Sequence, residues 1–159
     1  MAIPGRERPV KLIHLDTVIL RAIIDEEDEL YHQARHLVND GKYGPLGASI
    51  LAVGESFALM AEDCESHRLN ESSNQLRSLI KKKKIVIRGN GSGDECFSMA
   101  KEIMRIDSYI KPTDALITSI MMLDDQSVGL YTADKNLLIN ENLKSIVSDK
   151  RKWIRSPID

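Results

Sequence analysis

Four acidic residues stand where an acid is costly. Most of the 24 Asp and Glu residues keep polar company, as in DEED at 25–28. Asp16 instead ends the apolar run LIHL and is followed by TVIL. Glu55 lies inside ILAVGESFALM, Asp114 opens the apolar stretch DALITSIMM, and Asp134 comes just past GLYT. At helical spacing the neighbours of Glu55 are Leu51, Ala52, Ala58 and Leu59, which predicts that it faces the core side of its helix. A lone buried carboxylate is expensive. Capping a helix or turn is a frequent use of Asp and serves for positions 16, 114 and 134. It does not account for a mid-helix Glu55 on an apolar stripe.

One shared site accounts for all four. Carboxylates gathered about 5 Å apart repel by about 3 kcal/mol per pair at an effective dielectric near 20. Such a group needs protons on some members or cations between them. Oxygen donors with no Cys and no obligatory His favour Mg²⁺ or Mn²⁺ over zinc. Metals held by acids in a partly open site are equipment for phosphoryl chemistry.

The elements that must position these acids follow from the apolar pattern. The nearly continuous run VKLIHLDTVIL (10–20) predicts a strand buried on both faces. A helix is expected over 25–41, with acids at its start and Gly41 at its end. GPLG (44–47) reads as a turn, and helices follow over 48–68 and 69–84. KIVIRG (84–89) is the second strand, GNGSGD a loop, and 94–110 a helix with Phe97, Ala100, Ile103 and Met104 at helical spacing. A helix over 112–125 opens on Pro112. VGLYTAD (128–134) is the third strand, 135–147 a short helix, and KWIRS (152–156) an edge strand. Alternating strands and helices predict an α/β fold with a parallel or mostly parallel sheet flanked by helices. In such sheets, sites form outside the carboxyl ends of the strands, where Asp16 and Asp134 fall.

The chain of 159 residues fits one domain, 1–159, with its core over about 11–155. Its 42 Ile, Leu and Val side chains suffice for a core, and the 4% aromatic content makes that core aliphatic. With 22 basic and 24 acidic residues, the protein is not a basic nucleic-acid coat, so any such contact is local. Cys64 and Cys96 form neither a disulfide scaffold nor a CxxC pair. No apolar run approaches the roughly 20 residues of a membrane span, and the N-terminus lacks a signal-peptide core. A soluble, cytoplasmic protein is expected.

The order of motifs Asp16-Thr17, Glu55, Asp114-Ala115-Leu116-Ile117 and Thr132-Ala133-Asp134, spanning about residues 11–140, resembles the PIN-domain nucleases. The resemblance implies a three-layer α/β/α PIN-like fold and a Mg²⁺- or Mn²⁺-dependent endoribonuclease acting on single-stranded RNA. Asp16, Glu55, Asp114 and Asp134 would be the catalytic and metal-holding residues. Thr132 would orient a carboxylate or a metal-bound water. Many members, called VapC-like, are the toxin half of type II toxin–antitoxin pairs, and many are dimers. The resemblance therefore also implies an antitoxin partner and a homodimer. Val18 departs from the pattern, since many relatives carry Asn or Ser there.

Other features invite other functions. GNGSG (89–93) lies between a strand and a helix, but its spacing is G-x-G-x-G and no Walker motif follows. A flexible loop is expected there, against a methyltransferase-like cofactor site. His32 and His36 form HxxxH with Gln33 where a zinc protease needs Glu, so surface positions are expected. His14 shares a strand face with Asp16 and is expected to be a packed, neutral histidine. Asp107 is expected to be a surface acid near a helix end. Lys81–Lys84 and the group Lys150, Arg151, Lys152 and Arg155 are the two basic clusters, each read as solvated surface that could touch phosphates. A PIN-like module that grips RNA or protein without cutting is the competing function.

Overall fold

The computed structural model describes residues 10–63, 66–89, 91 and 93–158. The polar lead-in before Val10, Cys64, and Asn90 and Ser92 of the glycine loop lie outside the described residues. Five strands form one sheet: β1 (Leu12–Leu15), β2 (Leu46–Ser49), β3 (Val86–Arg88), β4 (Ser127–Tyr131) and β5 (Trp153–Arg155). Their order is β3-β2-β1-β4-β5, and each pairing is parallel. Helices α1 (Thr17–Ala22), α2 (Tyr31–Asn39), α3 (Ile50–Asp63), α4 (Ser66–Lys82), α5 (Gly93–Ile106), α6 (Pro112–Leu123), α7 (Lys135–Leu138) and α8 (Glu141–Asp149) connect and cover the strands. The result is a three-layer α/β/α fold. No helix among the described residues is long and apolar enough to cross a membrane.

The chain steps outward from β1 through β2 to β3, then returns to place β4 on the other side of β1. The order therefore reverses between β1 and β4, and the crevice beyond their carboxyl ends is where such sheets bind ligands. The core that holds these strands is aliphatic, as the composition requires. Leu12, Leu15, Ile19, Leu20, Ile23, Leu76, Ile103, Ile117, Met121 and Leu130 are all fully buried. Close approach fixes one edge of the sheet. A Cβ on Gly129 would lie 2.3 to 2.5 Å from ring atoms of Trp153, so the indole packs flat against the β4 backbone.

Several boundaries differ from expectation, each for a local reason. The predicted strand 10–20 stops at Leu15, because Asp16 caps α1 by accepting the Thr17 N–H at 2.8 Å. The predicted helix 25–41 begins only at Tyr31. Asp25 and Asp28 accept the N–H groups of Glu27 and Leu30 at 3.1 and 2.8 Å and hold turns before it. The predicted turn 44–47 overlaps a fully buried strand, β2, whose LGAS carries no β-branched or aromatic signal. The helix predicted over 48–68 divides into α3, ending at Asp63, and α4, beginning at Ser66. The helix predicted over 135–147 is two, because Asn140 accepts the Leu143 N–H at 3.0 Å and starts α8. On α5 the buried stripe is Cys96, Ala100 and Ile103, while Phe97 and Met104 flank it in solvent.

Candidate active site

Asp16 leaves β1 at its carboxyl end and is 2% exposed. It serves as a cap and as a site residue at once. One oxygen accepts the Thr17 N–H, and Oδ2 accepts the Thr132 hydroxyl at 2.6 Å. Thr132 follows β4 directly and is fully buried, and its hydroxyl oxygen accepts the Asp134 N–H at 3.0 Å. One threonine thus ties together the ends of the two central strands and the two acids that follow them. Asp134 in turn caps α7, accepting the Asn136 N–H at 2.8 Å.

The other two acids arrive on helices. Asp114 sits in the first turn of α6, where a carboxylate suits the positive end of the helix dipole. Glu55 is half-buried on α3, with Ala58 exposed beside it. It faces the cleft rim, not the core side that its apolar neighbours predict. The Thr17 hydroxyl donates to Glu55 Oε2 at 2.5 Å, pinning α3's carboxylate to the start of α1. The four acids come from four separate segments and line one cleft of about 220 Å³, together with Thr17, Val18, Leu59, Lys111 and Ala133.

Electrostatics follow from this crowding. Burial, followed by repulsion from Glu55 and Asp134, pushes the Asp16 carboxyl up to about 6 against the bonds from Thr132 and Thr17 that favour its charge. Asp114 is pushed up to about 7, first by burial and then by the charges of Asp16, Asp134 and Glu55 and by a hydrogen bond with Asp134. Asp16 and Asp114 therefore titrate close to neutral pH. Among the described residues no three His, Cys, Asp or Glu groups are close enough together to hold a metal ion as they stand. Glu55 and Asp16 are instead held by hydroxyls. The donor set is all hard oxygen, and it carries the mutual repulsion that a divalent cation relieves, so these residues fit Mg²⁺ or Mn²⁺.

The features set aside in the sequence lie elsewhere. Gly89 and Gly91 line a different cavity of about 400 Å³, with Arg88, Asp124 and Asp125. His32 and His36 are exposed on α2. Asp107 is half-buried just past α5, where it accepts from the Tyr109 N–H and the Asn140 side chain. A second polar network escaped the sequence reading. The His14 ring, fully buried, meets Asp124 Oδ2 at 2.9 Å, and Arg88 donates to both Asp124 oxygens at 2.9 and 2.7 Å. Burial holds the imidazole below its ordinary pKa although Asp124 favours its charge. Lys152 is not free for phosphate. Its ammonium donates to the carbonyls of Met121 and Asp124 and to Ser127 Oγ, at 2.6 to 2.9 Å, closing the carboxyl end of α6.

No family model and no curated protein matches the sequence, while solved structures do. The chain is similar to VapC20 of Mycobacterium tuberculosis, a sarcin-ricin loop cleaving toxin, with a TM-score of 0.64 and 16% identity over 79% of this chain and 92% of that one. It is also similar to VapBC2 of Rickettsia felis, solved bound to a DNA fragment from its promoter, with a TM-score of 0.59 and 15% identity over 91% of this chain and 98% of that one. The chain thus has the VapC-like PIN-domain fold.

Proposed function

We propose that this protein is a divalent-metal-dependent endoribonuclease that hydrolyses phosphodiester bonds of single-stranded RNA. The observation that carries the reading is the convergence of Asp16, Glu55, Asp114 and Asp134 in one cleft beyond β1 and β4. These four residues would hold Mg²⁺ or Mn²⁺. When bound, such an ion supplies positive charge against phosphoryl oxygens and acidifies water. The chain's own groups do the rest. Thr132 fixes Asp16, and Thr17 fixes Glu55. Asp114, raised toward neutrality, accepts the proton of the attacking water and passes it on. Water adds to phosphorus, the 3′-oxygen leaves with a proton, and the products carry 5′-phosphate and 3′-hydroxyl ends. The likeness to VapC structures supports a toxin role with an antitoxin as protein partner, and the reading includes a homodimer as the working form.

The test is cleavage of single-stranded RNA with Mn²⁺, with and without EDTA, by the parent and by Asp16→Asn. The parent is expected to cut only with the metal. The variant is expected to be inactive with an unchanged circular dichroism spectrum. Equal cleavage by both proteins overturns the assignment. RNA binding without cleavage by the parent supports the PIN-like binding module instead.

A further inference from the structure

Among the described residues Lys111 is the one basic residue lining the acidic cleft. It is also out of place by the rules of helix ends. It is the N-cap of α6, with extended backbone and no side-chain cap bond. That position favours Ser, Thr, Asp or Asn, whose oxygen accepts an orphan N–H. A lysine offers no acceptor and sets a cation at the positive end of the helix dipole. The cleft does not recruit it as an internal counter-ion either. Its side chain is exposed, and among the described residues its ammonium makes no hydrogen bond or ion pair, although the cleft holds four carboxylates. A helix that bears a poor cap beside its own reactive acid, Asp114, keeps a free cation at the mouth of the site.

We propose that Lys111 holds a backbone phosphate of the RNA entering the cleft, donating from its ammonium to a non-bridging phosphate oxygen. The inference rests on the ribonuclease reading and adds the residue that brings the polyanion to the acids. The chemistry calls for one. A strand carrying one negative charge per nucleotide approaches a wall of carboxylates, and a cation at the rim lowers that barrier and fixes the register of the strand. Lys111 is a substrate-positioning residue. It takes no proton in the reaction.

The test compares the parent with Lys111→Ser and Lys111→Arg. Cleavage of one single-stranded oligoribonucleotide is measured with Mn²⁺ from 50 to 200 mM KCl, alongside thermal melting. One phosphate contact on a single strand is worth about 0.7 in the slope of log affinity against log salt, or about fivefold at 0.1 M. Lys111→Ser is therefore expected to raise KM about fivefold at 0.1 M salt with kcat little changed, and to flatten the slope by about 0.7. It is also expected to melt at a higher temperature, because serine is the better cap. Lys111→Arg is expected to restore KM and slope. The same slope difference is expected in anisotropy titrations of labelled RNA onto Asp16→Asn protein with and without Lys111→Ser. An unchanged KM and slope in a parent that cleaves overturns this inference and leaves the ribonuclease reading standing. A raised KM accompanied by a lower melting temperature marks a structural role and overturns it too. A parent that cleaves no RNA overturns both.

Discussion

Asp16→Asn is expected to stabilise the metal-free protein at pH 8 while removing its activity. The carboxyl is 2% exposed, and its pKa stands at about 6 against 3.8 for the free side chain. Each pH unit of such a difference is worth about 1.36 kcal/mol, so an ionised Asp16 costs the fold about 3 kcal/mol. The sign follows from the direction. The folded-state value lies above the unfolded one, so the folded protein binds the extra proton, and stability falls as pH rises from about 4 to about 6. Below that window the cost is absent, and above it the cost is complete. Asparagine carries no charge, but its single oxygen serves only one of the two donors, Thr17 N–H and Thr132 Oγ1, that Asp16 satisfies. The lost bond takes back about 1–1.5 kcal/mol. The net gain is about 1.5 kcal/mol, or about 3–6 °C in Tm for a chain of this length. Calorimetric melts in EDTA at pH 4 and pH 8 measure it, and Mn²⁺ at pH 8 should raise the parent's Tm far more than the variant's. A variant less stable than the parent at pH 8, or a difference equal at both pH values, would refute the account of a crowded, desolvated cluster.

Two further substitutions separate the site from the scaffold. Thr17→Val removes the hydroxyl that holds Glu55 at 2.5 Å and keeps the side chain's shape; kcat/KM for RNA cleavage is expected to fall about tenfold or more with little change in Tm. Asp124→Ala leaves the part-buried Arg88 without its carboxylate and the fully buried His14 without its partner; urea unfolding is expected to show a loss of about 1–3 kcal/mol, and no measurable loss would show that the network bears no weight.

The acids of the cleft were readable because each breaks an apolar pattern. Asp16 and Asp134 interrupt at strand ends, and the topology places those ends together. The orientation of Glu55 was not readable, because apolar neighbours at helical spacing mark a half-buried rim as well as a core face. The roles of Thr17 and Lys111 leave no mark in composition, since Thr17 depends on Glu55 lying across from it and Lys111 on its place at the rim of the cleft. Asp124 hides in the polar run Asp124-Asp125-Gln126, and its partner His14 is 110 positions away. Strand β2 was lost for a related reason. Its small residues become a strand only because β1 and β3 present hydrogen-bonding edges on either side, and the carbonyl of Val86 would lie 3.3 Å from a Cβ on Gly47.

The indole of Trp153 rests on bare backbone at Gly129, with the Tyr131 ring 5.1 Å away and the Arg155 guanidinium 4.7 Å from its centre. It is the chain's only tryptophan, and the neighbouring Arg155 carbonyl accepts the N–H of Thr132 at 3.0 Å. The chain's one indole thereby sits two residues from the carbonyl that pairs β5 with Thr132, the threonine that clasps Asp16. Its emission wavelength, and energy transfer to it from Tyr131, give an optical readout of whether the last strand stays zipped to its neighbour, with no label added.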